Sequence, residues 1–286
     1  MTLTIARPPT GTGARPLGRR RRRRPPVGLL LAVAWMLVVV LAVLLPQLLA
    51  SGDPLAGVPA LKLDAPSAQH WLGTDAVGRD LYTRVVHGTG STMRTAVLAV
   101  ALGVAFGSLL GLAAGLAGGI VDVVVMRVVD VLFAVPAILL SLALITVLGA
   151  GTASVAFAVS VGSVAGIARI LRSEVLKVTT SPYVEAALVS GNRPLRLTLR
   201  HVLPNAMTPL FALAALELAV AILSVSALGF LGYGTRPPAP EWGAMVAAGR
   251  DSLQTAWWLT TFPGLAIVAT VLATNRLSLL GRGGLR

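Results

Sequence analysis

Long apolar runs alternate with short polar ones over most of this chain. Val27 to Leu45 carries no charge at all. Comparable stretches follow at Thr95 to Gly119, Val123 to Leu148, Ala153 to Ile170, Met207 to Gly229 and Thr261 to Leu280. Each reaches about 18 residues, the length that carries an α-helix across a bilayer. The pattern therefore predicts an all-α membrane protein with six transmembrane helices. The expected organisation is a disordered basic tail (1–26), a first transmembrane helix (27–50), an outer loop (51–93), a core of five further helices (94–280) and a short tail (281–286). Pro136 falls inside the third run, where it removes a backbone N–H and predicts a kink. In the second run, Gly103, Gly107, Gly111, Gly115 and Gly119 recur at every fourth position. Small residues so spaced let helix backbones touch. Each step of four drifts by about 40° around a helix, so the stripe should wind past more than one neighbour.

Composition agrees: 55% of residues are hydrophobic and 12% charged. The net charge of +13 could suggest nucleic acid, but the basic residues flank the apolar runs and no aromatic–basic interleaving accompanies them. With the N-terminus inside, inner segments hold 18 Lys and Arg residues and outer loops 6, which places both termini in the cytoplasm. The run Arg19 to Arg24 is an orientation signal suited to anionic membrane lipid. Val27 to Leu45 is too long for a signal-peptide core and is read as a retained helix. The chain has no cysteine, and His70 and His87 stand without ligands at metal spacing. Its two lysines, Lys62 and Lys177, each follow Leu, so no phosphate-binding loop of the Gly-Lys kind exists. No hydrolase or zinc-protease motif is present either. Any ATP and Mg used must be bound by other polypeptides, and no cofactor or metal is expected on this one.

Charge pairs and lone carboxylates supply the remaining candidates. Arg127 and Asp130, three apart, are expected to pair. Glu217 lies near the middle of the fifth run. A carboxylate there is costly unless it faces protein or water, so it is a candidate for the translocation path. Protonation, or a hydrogen bond to a neighbouring helix, is an equal alternative. In the outer loop, Asp75, Arg79, Asp80 and Arg84 can pair among themselves.

One polar stretch stands apart, Ser181 to Asn205. Ser181 can cap a helix with Pro182 at its first position, and Gly191 sits where a helix end needs φ > 0. Pro194 can open a second short helix that Pro204 closes. The result is a bent basic knob with Arg193, Arg196 and Arg200. Glu185-Ala186-Ala187, then Gly191 after three residues, then His201-Val202-Leu203-Pro204 after nine more, resembles the EAA loop of ATP-binding-cassette importer permeases. His201 stands where the general pattern has Ile. The run His70-Trp71-Leu72-Gly73-Thr74-Asp75 with Gly78-Arg79-Asp80 is similar to the dipeptide, oligopeptide and nickel branch of that family. So are Leu228 to Gly234, Trp242-Gly243-Ala244-Met245, Gly249-Arg250-Asp251 and Phe262-Pro263-Gly264. The C-terminal tail lacks the acidic residues usual in the branch.

The resemblance implies a type I importer permease fold with cytoplasmic coupling helices. It also implies a bacterial cytoplasmic membrane location and import of peptides, or of nickel or another small ligand. The implied partners are a second homologous permease, two ATPase subunits and an extracytoplasmic substrate-binding protein. Coupling would depend on Glu185, Ala186, Ala187, Gly191, Leu203 and Pro204. Asp75, Arg79, Asp80 and Trp242 would be candidate contacts for the binding protein. A passive channel would not need the knob, and an intramembrane enzyme would need a second catalytic group beside Glu217.

Overall fold

The computed structural model describes residues 27–182, 184 and 198–283. Among them, regular structure is helical apart from two isolated bridges, Gly57 with Arg79 and Thr74 with Asp80. The helices are α1 (Val27–Leu44), α2 (Pro46–Leu49), α3 (Leu81–Ala117), α4 (Gly119–Ala134), α5 (Ala137–Leu148), α6 (Thr152–Thr179), α7 (Leu203–Phe230), α8 (Trp242–Gly249) and α9 (Trp258–Gly283). Among the described residues, five single helices are long and apolar enough to cross a membrane, and α4 with α5, bent by 95°, adds a sixth if the pair counts as one span.

The second helix begins at Leu81, well before the expected Thr95. Its first turns are rich in Thr, Arg and His, so hydropathy passes over them. They are helical because Asp80 caps them, accepting from the Thr83 amide at 2.8 Å, and because they pack on the far loop. With 37 residues, α3 extends about 55 Å and stands well clear of a bilayer's hydrocarbon core.

The glycine stripe of α3 lies against α6 alone. A Cβ at Gly107 would come 2.7 Å from Ile167 Cβ, at Gly111 2.7 Å from the Ala168 carbonyl, and at Gly115 2.8 Å from Val175 Cβ. Gly103 faces Ser163 in the same way. The facing residues Ser163, Ile167, Leu171 and Val175 are themselves four apart. Two rows of the same pitch interdigitate, so α6 follows the drift of the stripe along an oblique crossing. This corrects the expectation of several neighbours. Gly119 leaves the seam and starts α4 at φ 50°.

Pro136 does more than kink the third run. Val135 and Pro136 are both extended, and α4 and α5 meet at 95°. Proline removes a helical hydrogen bond and disfavours helical geometry in the residue before it. The expected Arg127–Asp130 pair is also replaced. Asp130 accepts from Arg169 at 2.9 Å, and Arg169 lies 4.3 Å from the Phe133 ring centre. Asp122 takes a two-pronged bond from Arg172, one prong at 2.6 Å. Two arginines three apart on α6 thus clamp α4 along one side. The Asp130 pair is exposed and worth little, while the two-pronged Asp122 pair is more sheltered. Arg172→Ala is expected to lower the unfolding midpoint of the purified chain by a few degrees, and the exchange Asp122→Arg with Arg172→Asp to recover much of it. An exchange no better than the single variants would contradict a specific clamp.

At one end of the bundle, residues 50–80 and 231–257 pack into a lobe around Leu81, Met245, Ala256, Trp258 and Leu259. Trp258 ties the two parts, its indole N–H donating to the Thr74 carbonyl at 3.2 Å.

Candidate functional site

At the end of the bundle away from the lobe, α6 and α7 converge on the segment expected to couple. Glu185, Ala186, Ala187 and Gly191 lie outside the described residues. The base of the segment is described. Val184 on the way out and Val202 and Ala206 on the way back are buried together against Leu171 and Val175 of α6. Both ends of the segment are therefore rooted in the α3–α6 seam, because Gly115 of α3 lies on Val175. Ser181 does not spend its hydroxyl on a new helix: it donates to the Val178 carbonyl of the preceding one. Pro204 does not close a helix. A π-helical turn, Thr198–Val202, runs into α7, and Leu203 and Pro204 occupy the first turn of α7. A missing N–H costs little there, which is why proline is accommodated. Leu203 is half-buried and Pro204 exposed.

In the lobe, the candidate contacts Asp75, Arg79 and Asp80 serve the loop's own geometry. Asp75 accepts from the amides of Val77 and Arg79 at 2.9 and 3.0 Å and from Arg79 Nε at 2.6 Å. Arg84 Nε stands 3.5 Å from it. Asp80 caps α3 and takes His70 Nδ1 at 3.0 Å. Gly73 and Gly78 hold φ near 79° and 78°, where a side chain would be strained. A Cβ at Gly78 would also strike the Val58 carbonyl. Trp242, expected among the outward contacts, is instead 1% exposed. Its indole N–H donates to the Val85 carbonyl at 2.9 Å, so it is a core side chain joining α8 to α3.

Glu217 sits on α7 in a half-buried strip with Leu213 and Ser224, next to exposed Val220. Its neighbours Leu218, Ala221, Ile222 and Val225 face the main core. None of the ion pairs among the described residues includes it.

The residue that sequence reasoning passed over is Glu241. It is 1% exposed, at the N-terminal edge of α8 between Pro240 and Trp242. Its carboxyl turns back onto the end of α7, where Oε2 accepts from the Thr235 amide at 3.2 Å. Oε1 has no hydrogen-bond partner among the described residues. Gly229 and Gly234 press on the carboxyl so closely that a Cβ at either would overlap it, and a Cβ at Gly243 would strike the Ser226 carbonyl. The glycines of two separate motifs thus shape one pocket. Burial pushes the Glu241 carboxyl up to about 7, while the Thr235 amide bonded to Oε2 and the nearby Gly243 amide, which makes no hydrogen bond to Oε1, pull the other way. The signal was a lone acid inside a Gly- and Pro-rich stretch otherwise free of carboxylates.

The model for binding-protein-dependent transport system inner membrane components matches residues 107–280. The chain belongs to that family. A putative peptide transport system permease of Brucella suis biovar 1 is 39% identical over 248 residues, covering 87% of this chain and 82% of its own length. The di/tripeptide transport system permease DppC of Pseudomonas aeruginosa is 37% identical, covering 87% and 83%. A glutathione transport system permease, GsiD of Shigella flexneri, is 43% identical, covering 77% and 72%. A solved chain of the MetNI methionine ABC transporter, in an inward-facing conformation, superposes with a TM-score of 0.54 at 18% identity, covering 69% of this chain and 95% of that one. An amino acid ABC transporter solved with histidines gives 0.56 at 16%, covering 69% and 92%. At such identities the structures speak for the fold alone. The permease is thus a multi-pass transporter subunit with the type I fold.

Proposed function

We propose that this permease forms half of the transmembrane path of an importer for short peptides in a bacterial cytoplasmic membrane. The other half is a second, homologous permease. Both termini lie in the cytoplasm, and the lobe faces outside, where a substrate-binding protein delivers the peptide. Two separate ATPase subunits, which hold the ATP and Mg, grip the segment between Ser181 and Asn205. Their closure moves α6 and α7 about the buried base at Val184 and Val202, and the path opens alternately to the two sides.

The observation that supports this most is the similarity over 87% of the chain to relatives named for peptides. The open strip around Glu217 adds to it. A carboxylate at membrane depth on a partly open face calls for protein or water opposite, as a second permease and a path between them would supply. The test is uptake into proteoliposomes holding the whole complex with its binding protein. Labelled dipeptides, tripeptides and glutathione should accumulate only with ATP. Accumulation of nickel and no peptide would move the substrate to the metal class.

Glu217 is the proposed contact for the peptide's amino terminus. Glu217→Gln is expected to lower uptake of free-amino peptides about tenfold, roughly the loss of one charge-assisted bond of ~1.5 kcal/mol. N-acetylated peptides should be unaffected. Equal uptake of both by the variant and the parent would remove Glu217 from the path.

A further inference from the structure

Glu241 joins three parts of the fold: the end of α7, the turn that follows it, and α8, which Trp242 anchors to α3. Its carboxyl is buried against backbone and glycine, and the cations nearby are committed elsewhere. A cavity of about 220 Å³ beside it is lined by Asp75, Arg79, Arg84, Thr235, Pro238 and Met245 among others. Arg79 donates to Asp75, and Arg84 donates to the Pro54 carbonyl at 2.7 Å and lies 3.4 Å from that of Pro238. In its own turn, Arg236 is exposed and Tyr233 half-buried, α8 carries no ionisable side chain, and Arg250 beyond it pairs with Asp251. Among the described residues no ion pair includes Glu241.

We propose that Glu241 is a positioning residue for transport: as the neutral acid it holds the lobe onto the end of α7, and loss of its proton releases that contact. The inference rests on the importer reading and on the lobe facing outside. An ionised carboxylate would leave a charged Oε1 buried without a donor, which is far costlier than a neutral acid in the same pocket. If the lobe swings away, the carboxyl meets water and ionises near its ordinary value of 4.5, against about 7 when packed. A group whose value is raised in the packed state favours that state fully at low pH. The balance then shifts toward the open lobe by up to about tenfold per pH unit between those two values, and levels off above the upper one. Glutamine has the neutral acid's shape and cannot ionise, so it should hold the lobe closed at every pH. Aspartate, one methylene shorter, should not reach the Thr235 amide.

The chain lacks cysteine, so one introduced thiol is its single labelling site, and the complex without that thiol gives the background. Ala239→Cys, half-buried in the turn, would be labelled by a membrane-impermeant thiol reagent in the intact complex, with Glu241 or with Glu241→Gln. Between pH 5.5 and 7.5 the labelling rate with Glu241, divided by that of the Glu241→Gln background as the reference, should rise at least about tenfold. The pH profile of peptide uptake should differ between the two backgrounds over the same range, and Glu241→Asp should label fast at every pH. A labelling ratio flat with pH would overturn the proposal. So would identical uptake profiles, or the absence from the infrared spectrum of a protonated carboxyl band that Glu241→Gln removes. If neither background takes up peptide at any pH, the importer reading fails, while labelling and the infrared band still decide the role of Glu241.

Discussion

Gly111→Leu is expected to remove most of the folded chain from the membrane. The position faces the Ala168 carbonyl at 2.7 Å and Leu171 Cβ at 3.0 Å, both on α6. The carbonyl is helix backbone and cannot rotate away, so α3 and α6 would have to part along their whole seam. Overpacking of this kind costs about 1–3 kcal/mol even for small additions, and a leucine adds much more. Against a total stability of about 5–15 kcal/mol, that is a large share. Gly111→Ala should lower the unfolding midpoint in detergent, and Gly111→Leu should leave little monodisperse protein on size exclusion. Gly28 provides the control, because a Cβ there meets nothing within 4 Å. Gly28→Ala should behave as the parent does. Parent-like yield and melting of Gly111→Leu would contradict the close-packed seam.

Much of the bundle was legible because lipid imposes a simple rule: a crossing helix needs a long apolar run. Runs near Val27, Ala153, Met207 and Thr261 became helices for that reason; the last three helices are longer than their apolar parts. What escaped was decided by contacts between distant residues. Asp122 and Asp130 pair with Arg172 and Arg169, far along the chain, where local spacing suggested Arg127. The first turns of α3 look like loop by hydropathy and are helix by packing, although the Asp80 cap was open to reading. Glu241 stood unremarked just before the Trp242-Gly243-Ala244-Met245 run. Only the fold brings Gly229, Gly234 and the Thr235 amide around its carboxyl. In the coupling segment the letters of the motif were plain, yet Pro204 proved to lie in the first turn of α7 and Ser181 to bond backward. Glu185 to Gly191 lie outside the described residues and rest on the sequence pattern.

The second large effect concerns Gly191. In the proposed mechanism the ATPases do work on the path only through the segment between Ser181 and Asn205, where the sequence pattern puts the expected bend at Gly191. A β-branched side chain is disfavoured wherever φ must be positive, at a cost of about 1–2 kcal/mol, and it would also stiffen the turn. Gly191→Val should therefore misdirect the knob without touching the spanning helices, whose packing lies at α3, α6 and α7. Insertion, yield and melting should match the parent. Uptake should fall at least about a hundredfold, the effect of losing positioning rather than binding. ATP hydrolysis by the partner subunits should persist, no longer answering to substrate.

The most direct measurement is the number of peptides carried per ATP hydrolysed, taken in proteoliposomes of the full complex with the parent permease and with Gly191→Val. The account predicts a ratio that collapses toward zero in the variant while hydrolysis continues. An unchanged ratio, or uptake by the permease pair without any ATPase subunit, would contradict it.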